Sequence, residues 1–281
     1  IPEGTEYICE KAFSKSRISA IKFPDSLKEI GPFAFECCEN LVNIDFGHGI
    51  HHIGSESSSN IFRSCVSIEK VDIPSQVESI GNRLFLNCLN LKEIILHNGL
   101  ISISELAFVD TKVERLSIPS TVERIGISAM NEVKDIKIEK GGNPFGLVCA
   151  VTKDPSLESN AEKLSDIVKI EYEGEGNLYL PKYMTNEGIN KVNSELSVYG
   201  YSDAFAGHTY EMGVASDAKQ NIAIQIYQYT KDSGIASYLK RVSTSISKRL
   251  LKEGKEEALI EFIRTGLMTK NALKNTLKEA N

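Results

Sequence analysis

The clustered histidines are the first residues of this 281-residue chain whose types and spacing suggest chemistry. His48 and His51 have the His-x-x-His spacing that can ligate zinc, and His52 follows directly. However, His51 and His52 occupy variable positions of a repeated pattern, which other copies fill with Lys28-Glu29, Glu78-Ser79 and Glu123-Arg124. We therefore interpret these histidines as exposed loop or strand surface and expect no metal site.

The six cysteines leave two alternatives. Cys38, Cys65 and Cys88 recur at one position of the repeated pattern, where stacked neighbours would lie about 5 Å apart, the spacing of strands in a sheet. Such a column is either a strip of metal-binding thiols or a ladder of small side chains. No Cys-x-x-Cys spacing occurs, and the column ends near Asp110 and Asn131, where the pattern is shorter. We favour the structural ladder and expect buried free thiols without a disulfide framework.

Motifs for phosphate, calcium and acyl transfer are missing from the sequence. Gly47-His48-Gly49 and Gly174-Glu175-Gly176 do not continue into a phosphate-binding loop, so both are expected to be turns. Glu171, Glu173 and Glu175 lack the ligand spacing of a calcium loop, and no Gly-x-Ser-x-Gly elbow occurs. We expect neither an enzyme nor a cofactor. The alternative is an enzyme with an unrecognised site within residues 145–230.

A repeated pattern of apolar residues fills about the first 140 positions. One copy consists of Phe23-Pro24, Ile30-Gly31, Ala34-Phe35, Cys38 and Leu41-x-x-Ile44. The same order begins again at Ile73-Pro74 and Ile118-Pro119, and less regular copies begin at Ile1, Phe46 and Leu96. The pattern therefore predicts five to six structural repeats.

Each copy predicts two short extended segments joined by turns. Polar Asn43 and Asp45 alternate with apolar residues, which indicates a strand with one buried face, and the proline that follows such a strand ends its ladder. The recurrent glycine, such as Gly31, is expected to provide the positive φ of a turn, and the Ala-Phe pair to point inward. The polar insertion Ser55–Asn60 is expected to be a surface loop. One copy cannot bury its apolar face alone, whereas stacked copies can.

The series Ile-Pro, Ile-Gly, Ala-Phe, Cys and Leu-x-x-Ile resembles the BspA-type leucine-rich repeat over residues 1 to about 140. The resemblance implies an α/β repeat fold, a curved right-handed solenoid with short parallel strands. It carries no catalytic residues, and for some family members it implies surface adhesion or binding of host proteins. Gly47 and His97 replace the proline of the pattern, and Cys9 and Ser104 replace the glycine. These departures predict irregular loops.

A region of a different kind follows the repeats. Gly141-Gly142-Asn143-Pro144 breaks the pattern, and residues 141–216 are expected to be a mixed connecting or capping region. A strand is predicted at Asn177–Pro181 and a helix at Asn186–Ser194. Whether this region continues the solenoid stays open.

Residues 217–281 are predicted to form a mostly helical domain that covers an end of the solenoid. Asp217, Ser233 and Thr269 are expected to cap its helices. Residues 235–281 include ten basic and five acidic residues, a net charge of +5. Because the net charge of the whole chain is −6, the rest of the chain carries −11. A basic group in this region is interpreted as a solvated helix face, because no aromatic residues alternate with it; it comprises Lys240, Arg241, Lys248, Arg249 and Lys252.

The outward strand positions form the candidate interaction surface. Their charges are mixed in sign, which favours a protein ligand over a polyanion, and no nucleic-acid partner is expected. Ile95, with Ile101 near it in the sequence, is a candidate apolar anchor. The candidate residues are Asn43, Asp45, Lys70, Asp72, Glu93, Ile95, Ile101, Arg115, Ser117, Asp135 and Lys137.

The leading hypothesis is a non-enzymatic scaffold that binds a protein of unknown identity. The alternative is a cell-surface adhesin or a structural spacer. No apolar run approaches the roughly 18 residues that a transmembrane helix needs, so none is expected. Because the chain begins with Ile1 inside the repeated pattern, we expect the natural N-terminus to be missing, and both a cytoplasmic and a cell-surface location stay open. The oligomeric state also stays open.

Overall fold

Short strands dominate the first half of the chain. In the computed structural model, which describes residues 1–57, 59–199, 201 and 207–279, six short strands alternate with six long ones. The short strands are β1 (Tyr7–Ile8), β3 (Glu29–Ile30), β5 (His52–Ile53), β7 (Ser79–Ile80), β9 (Ser102–Ile103) and β11 (Arg124–Ile125). The long strands are β2 (Ala20–Lys22), β4 (Asn43–Asp45), β6 (Lys70–Asp72), β8 (Glu93–Ile95), β10 (Arg115–Ile118) and β12 (Asp135–Ile138).

Strands of one kind pair in parallel with those of the neighbouring repeats. Among the long strands, β2 pairs with β4, β6 with β8 and β10 with β12. Among the short strands, β1 pairs with β3, and β5, β7, β9 and β11 form one sheet. The fold is therefore a parallel-strand solenoid of about six turns, as the repeated pattern predicts.

The long-strand sheet continues beyond the repeats. Strand β13 (Ile167–Tyr172) pairs in parallel with β12, with Ile136 opposite Ile170, and β14 (Gly176–Pro181) lies next to β13. The predicted strand at Asn177–Pro181 is confirmed. Whether the region after residue 140 continues the solenoid is answered in part, because residues 169–172 extend the parallel sheet.

Six helices lie in the described part of the second half. They are α1 (Leu147–Val151), α2 (Asn186–Tyr199), α3 (Ser216–Thr230), α4 (Ser233–Lys252), α5 (Glu256–Arg264) and α6 (Lys270–Glu279). The helical character of the C-terminal region is confirmed, and the helix predicted to start at Asn186 runs five residues further than expected, to Tyr199. None of the described helices combines the length and the apolar character that crossing a bilayer requires.

The chain divides into two compact units. One comprises residues 1–153 and 168–178, and the other comprises residues 154–167 and 179–281. The domain limits 1–140, 141–216 and 217–281 stay a prediction.

A stack of phenylalanine rings runs through the core of the repeat unit. Successive ring centroids are 5.1, 5.4, 5.5 and 6.3 Å apart, and the rings are within 22° of parallel. All rings but the first are fully buried, which confirms the inward orientation expected for the Ala-Phe pair. The stack consists of Phe13, Phe35, Phe62, Phe85 and Phe108.

The recurrent glycine has the expected positive φ at Gly54, where φ is 83°, but a different role at Gly31, Gly81 and Gly126. Gly31 and Gly126 do not have a positive φ; instead, a Cβ atom there would lie 2.6 and 2.4 Å from backbone nitrogens of the preceding repeat. The glycine is needed because two chain segments approach closely. The positive φ falls on a later residue of the same turn, where the φ angles lie between 50° and 59°; these residues are Lys11, Phe33, Asn60, Arg83, Leu106 and Ser128.

The insertion Ser55–Asn60 is only partly a surface loop. Ser55 is exposed, but Ser59 and Asn60 are buried, with 1% and 7% of their surfaces accessible; Ser58 lies outside the described residues. The backbone oxygen of Ser59 accepts a hydrogen bond from Phe33 N, and Asn60 N donates to Asn82 O. The polar composition suggested exposure, but the backbone of these two residues joins the turns of neighbouring repeats.

Two of the three predicted helix caps are wrong. The side chain of Asp232, not Ser233, accepts a hydrogen bond from Ile235 N at 2.8 Å and caps α4. Asp217 lies in the first turn of α3 without capping it. Thr269 is confirmed as a cap, since its hydroxyl accepts a hydrogen bond from Ala272 N at 3.2 Å.

Arg249 does not belong to a solvated basic face. Only 13% of its side chain is exposed, although Lys240, Arg241, Lys248 and Lys252 on the same helix are exposed. Its guanidinium donates from α4 to α3, to Asn221 Oδ1 at 2.7 Å and Gln220 Oε1 at 3.3 Å, and forms ion pairs with Asp217 and Glu253. Arg249 therefore joins two helices of the second unit.

We expect Phe85→Ala to lower the free energy of unfolding by about 3 to 5 kcal/mol, because it opens a cavity between two stacked rings. Asp72→Ala, an exposed strand residue, is the control and should change it by less than about 0.5 kcal/mol. Denaturant melts followed by circular dichroism measure both. Equal effects would contradict the assignment of the ring stack as the core of the repeats.

We expect Arg249→Leu to destabilise the helical unit by about 1 to 3 kcal/mol, because it leaves the polar groups of α3 without their charged donor. Lys248→Leu, one residue earlier and exposed, should be nearly neutral. Thermal melts of both variants test this. An unchanged melting temperature for Arg249→Leu would show that the hydrogen bonds and ion pairs of Arg249 contribute nothing to stability.

Candidate functional site

The outward side chains of the long strands form one face of the repeats, which we call the strand face. Each strand contributes its first and third residues, and the side chains between them point into the core. Parallel pairing places equivalent residues in columns, since Lys70 lies opposite Glu93 and Arg115 opposite Asp135. The two columns that the sequence predicts are therefore present over each set of paired strands.

From Lys70 onward, the first column alternates in charge. Lys70 Nζ lies 2.8 Å from Glu93 Oε1, and Arg115 Nε lies 3.4 Å from Asp135 Oδ2. The next residue of the column is Lys169, opposite Asp135. Each charge thus has a neighbour of opposite sign, and the column is close to neutral as a whole.

The second column has charged ends and an uncharged centre. Asp72 Oδ1 pairs with His97 Nε2 at 2.8 Å, and Lys137 Nζ pairs with Glu173 Oε1 at 2.6 Å. Between them lie Ile95 and Ser117, which carry no charge. The second column therefore has a neutral area bordered by ion pairs.

A shallow groove of about 570 Å³ lies over this neutral area. It is located where β8 and β10 are neighbours but belong to different sheets, so no ladder joins them. The small side chain of Ser117 leaves space beside half-buried Ile95. The outward residues that line the groove are Glu93, Ile95, Arg115, Ser117, Asp135, Lys137, Lys169 and Glu171.

The structure brings together six of the eleven predicted residues in this groove. Asn43, Asp45, Lys70 and Asp72 lie on earlier strands of the same face, outside the groove. Ile101 is also outside: it precedes β9, among the short strands, and so is not part of the apolar area of Ile95.

Sequence reasoning missed Lys169 and Glu171, which line the groove from β13. The repeated pattern stops before these residues and therefore does not assign them to the columns. The signal that could have found them is the alternation of outward and buried residues in Ile167–Tyr172, which is typical of a strand with one buried face.

The cysteine column is a hydrogen-bonded ladder. The thiols of Cys38, Cys65 and Cys88 are buried, and each donates to the backbone oxygen of a phenylalanine one repeat earlier, at 3.1 Å. Burial raises the pKa of the Cys88 thiol to about 12. These contacts account for the column structurally, as the sequence predicts.

The clustered histidines pair with side chains of neighbouring repeats. His48 Nδ1 lies 3.2 Å from Asp25 Oδ1, and His52 Nδ1 lies 2.9 Å from Ser79 Oγ. His51 is exposed near Glu78. Across the described ranges, no three His, Cys, Asp or Glu side chains are arranged to hold a metal ion.

The chain belongs to the BspA-type leucine-rich repeat family. The family model described as "BspA type Leucine rich repeat region" matches six copies, over residues 1–60 and 56–145. Repeats of this family are generally non-enzymatic scaffolds, and the fold is consistent with a role in protein interaction. A comparison with curated proteins finds no match.

Several solved structures are similar to part of the chain. A leucine-rich repeat protein from Bacteroides ovatus ATCC 8483 is 18% identical with a TM-score of 0.43; the match covers 51% of this chain and 43% of that one. The Pneumococcal vaccine antigen PcpA is 24% identical with a TM-score of 0.42, covering 49% and 36%. The T. pallidum leucine-rich repeat protein is 22% identical with a TM-score of 0.43, covering 53% and 72%. The chain thus spans less than half of the first two proteins.

We expect Cys88 not to react with Ellman's reagent in the folded protein. With a pKa of about 12, about one Cys88 thiol in 10,000 is deprotonated at about pH 8, and the side chain is also buried. Exposed Cys9 is the internal control and should react promptly. Mass spectrometry of the labelled protein distinguishes the two, and rapid labelling of Cys88 would contradict the buried ladder.

Proposed function

We propose that the strand face binds a protein ligand, with the groove over Ile95 and Ser117 as the centre of contact. The observation that carries this proposal is the arrangement of a neutral, partly apolar area within a border of paired charges. Protein interfaces have this anatomy, with an apolar centre and a polar rim.

The charges of the groove favour a protein over a polyanion. Carboxylates of Glu93, Asp135 and Glu171 lie among the basic side chains, on three of the four strands that line the groove, so a chain of phosphates would meet repulsion there. A protein surface can present both signs and match them.

We further propose that the groove has no catalytic role. Among its described lining residues, Ser117 provides the one hydroxyl, and no histidine or cysteine lies beside it. A nucleophilic serine needs an adjacent base to activate it. The basic and acidic groups of the groove are instead engaged in ion pairs along the face.

Photo-crosslinking tests the proposed surface. The full chain would carry benzoylphenylalanine at Ser117 or, as the control, at exposed Ile127, and would be irradiated in protein extracts. We expect discrete protein adducts from the Ser117 position, reduced at least ten-fold by Ile95→Asp, because a charge in the centre of an interface is costly to desolvate. Equal adducts from both positions, or adducts that Ile95→Asp leaves unchanged, would contradict the proposal.

A further inference from the structure

We infer that the ligand contributes an extended segment in which an apolar side chain and a carboxylate stand two residues apart. The apolar side chain lies on Ile95 over Ser117, and the carboxylate binds the guanidinium of Arg115. This inference rests on the proposed function and names the chemistry of the partner.

Arg115 is the charged group of the groove with the most freedom to bind. Its side chain is 85% exposed, and its Nε makes the longer of the two contacts in the first column, 3.4 Å to Asp135 against 2.8 Å between Lys70 and Glu93. Within the described part of the chain, Asp135 is its one ion-pair partner, and the recorded contact is made through Nε. A guanidinium in this position can hold a carboxylate through two parallel hydrogen bonds.

The other cations of the groove are less exposed than Arg115, since 43% of the Lys137 side chain and 36% of the Lys169 side chain are accessible. Lys137 Nζ lies 2.6 Å from Glu173, and Lys169 Nζ lies 3.7 Å from Glu171. The carboxylates of Glu93 and Asp135 likewise face cations of the first column. An incoming carboxylate therefore finds its most exposed donors on Arg115.

Ile95 and Ser117 provide the apolar part of the site. Ile95 is half-buried, and because no ladder joins β8 to β10, the space between these strands is not closed by backbone hydrogen bonds. A branched aliphatic side chain placed there covers Ile95 without displacing a charged group. Aliphatic burial of this kind contributes to affinity through the area removed from water.

The spacing of the two contacts sets the spacing in the ligand. Arg115 and Ser117 are two residues apart on one strand, or about 6.4 to 6.8 Å. Side chains on one face of an extended segment have the same separation, because its period is two residues. A segment running along β10 thus places an aliphatic residue and an Asp or Glu, separated by one residue, on the two contacts together.

The test uses a displayed library of random peptides of about ten residues, selected on the full chain. We expect enrichment of an aliphatic residue separated by one position from Asp or Glu. For a synthetic enriched peptide, Arg115→Gln should raise Kd at least ten-fold in fluorescence polarisation. Arg124→Gln is the matched control, because Arg124 is also exposed but lies on the short strand β11, and it should leave Kd unchanged.

Three results would overturn the inference. They are enriched peptides without this spacing, no enrichment at all, and a Kd that Arg115→Gln leaves unchanged while its thermal melt equals that of the unaltered chain. These failures are distinguishable from failure of the proposed function, because crosslinking from Ser117 does not depend on the acidic residue. If crosslinking from Ser117 succeeds but Arg115→Gln leaves Kd unchanged, the strand face is still the binding surface, and the proposed contact between Arg115 and a ligand carboxylate is wrong.

Discussion

The close stacking of one repeat on the next is the constraint on which the rest of this structure depends. Ring centroids 5.1 to 6.3 Å apart fix the distance between repeats, and the buried thiols, each bonded to a phenylalanine carbonyl of the preceding repeat, repeat at the same interval. At this distance the turns leave no space for a Cβ atom at Gly31 or Gly126. The core dictates the backbone, and the backbone aligns the outward residues in columns.

The sequence was sufficient for the features that repeat. The periodic Ala-Phe, cysteine and strand positions are determined by neighbours that occupy the same place in the next copy, so the alignment of copies reveals their environment. The same alignment placed Arg115, Ser117 and Ile95 on the strand face. The repeated pattern and the structure agree at these positions because the residues that favour a short strand are also the residues that the stacked repeats require there.

Features that depend on unlike neighbours could not be predicted. A recurrent glycine such as Gly31 can be required either by a positive φ or by the close approach of another chain segment. Only the position of the preceding turn decides between these two reasons. Ser59 is polar but buried, because its carbonyl joins a turn of another repeat. Arg249 resembles its exposed neighbours on α4, and its partners on α3 lie about 30 residues earlier. Lys169 lines the groove, but the residues between the last repeat and β13 do not follow the repeat spacing, so the sequence does not indicate its position.

The ladders of the long strands and of the short strands are both interrupted, and these interruptions affect the cooperativity of unfolding. Between β8 and β10 the long-strand ladder is missing, but the short strands β7, β9 and β11 remain joined across that level. Between β4 and β6 the long-strand ladder is missing, and at that level no short-strand ladder joins β3 to β5 either. The contacts that cross there are turn hydrogen bonds, side-chain contacts such as the Cys65 thiol bond and the Arg63–Glu36 ion pair, and the contact of Phe35 with Phe62. In a linear array, where unfolding proceeds by nearest-neighbour interfaces, such a seam is a natural boundary between foldons, so the first two repeats can open as one block while the remaining ladder stays closed.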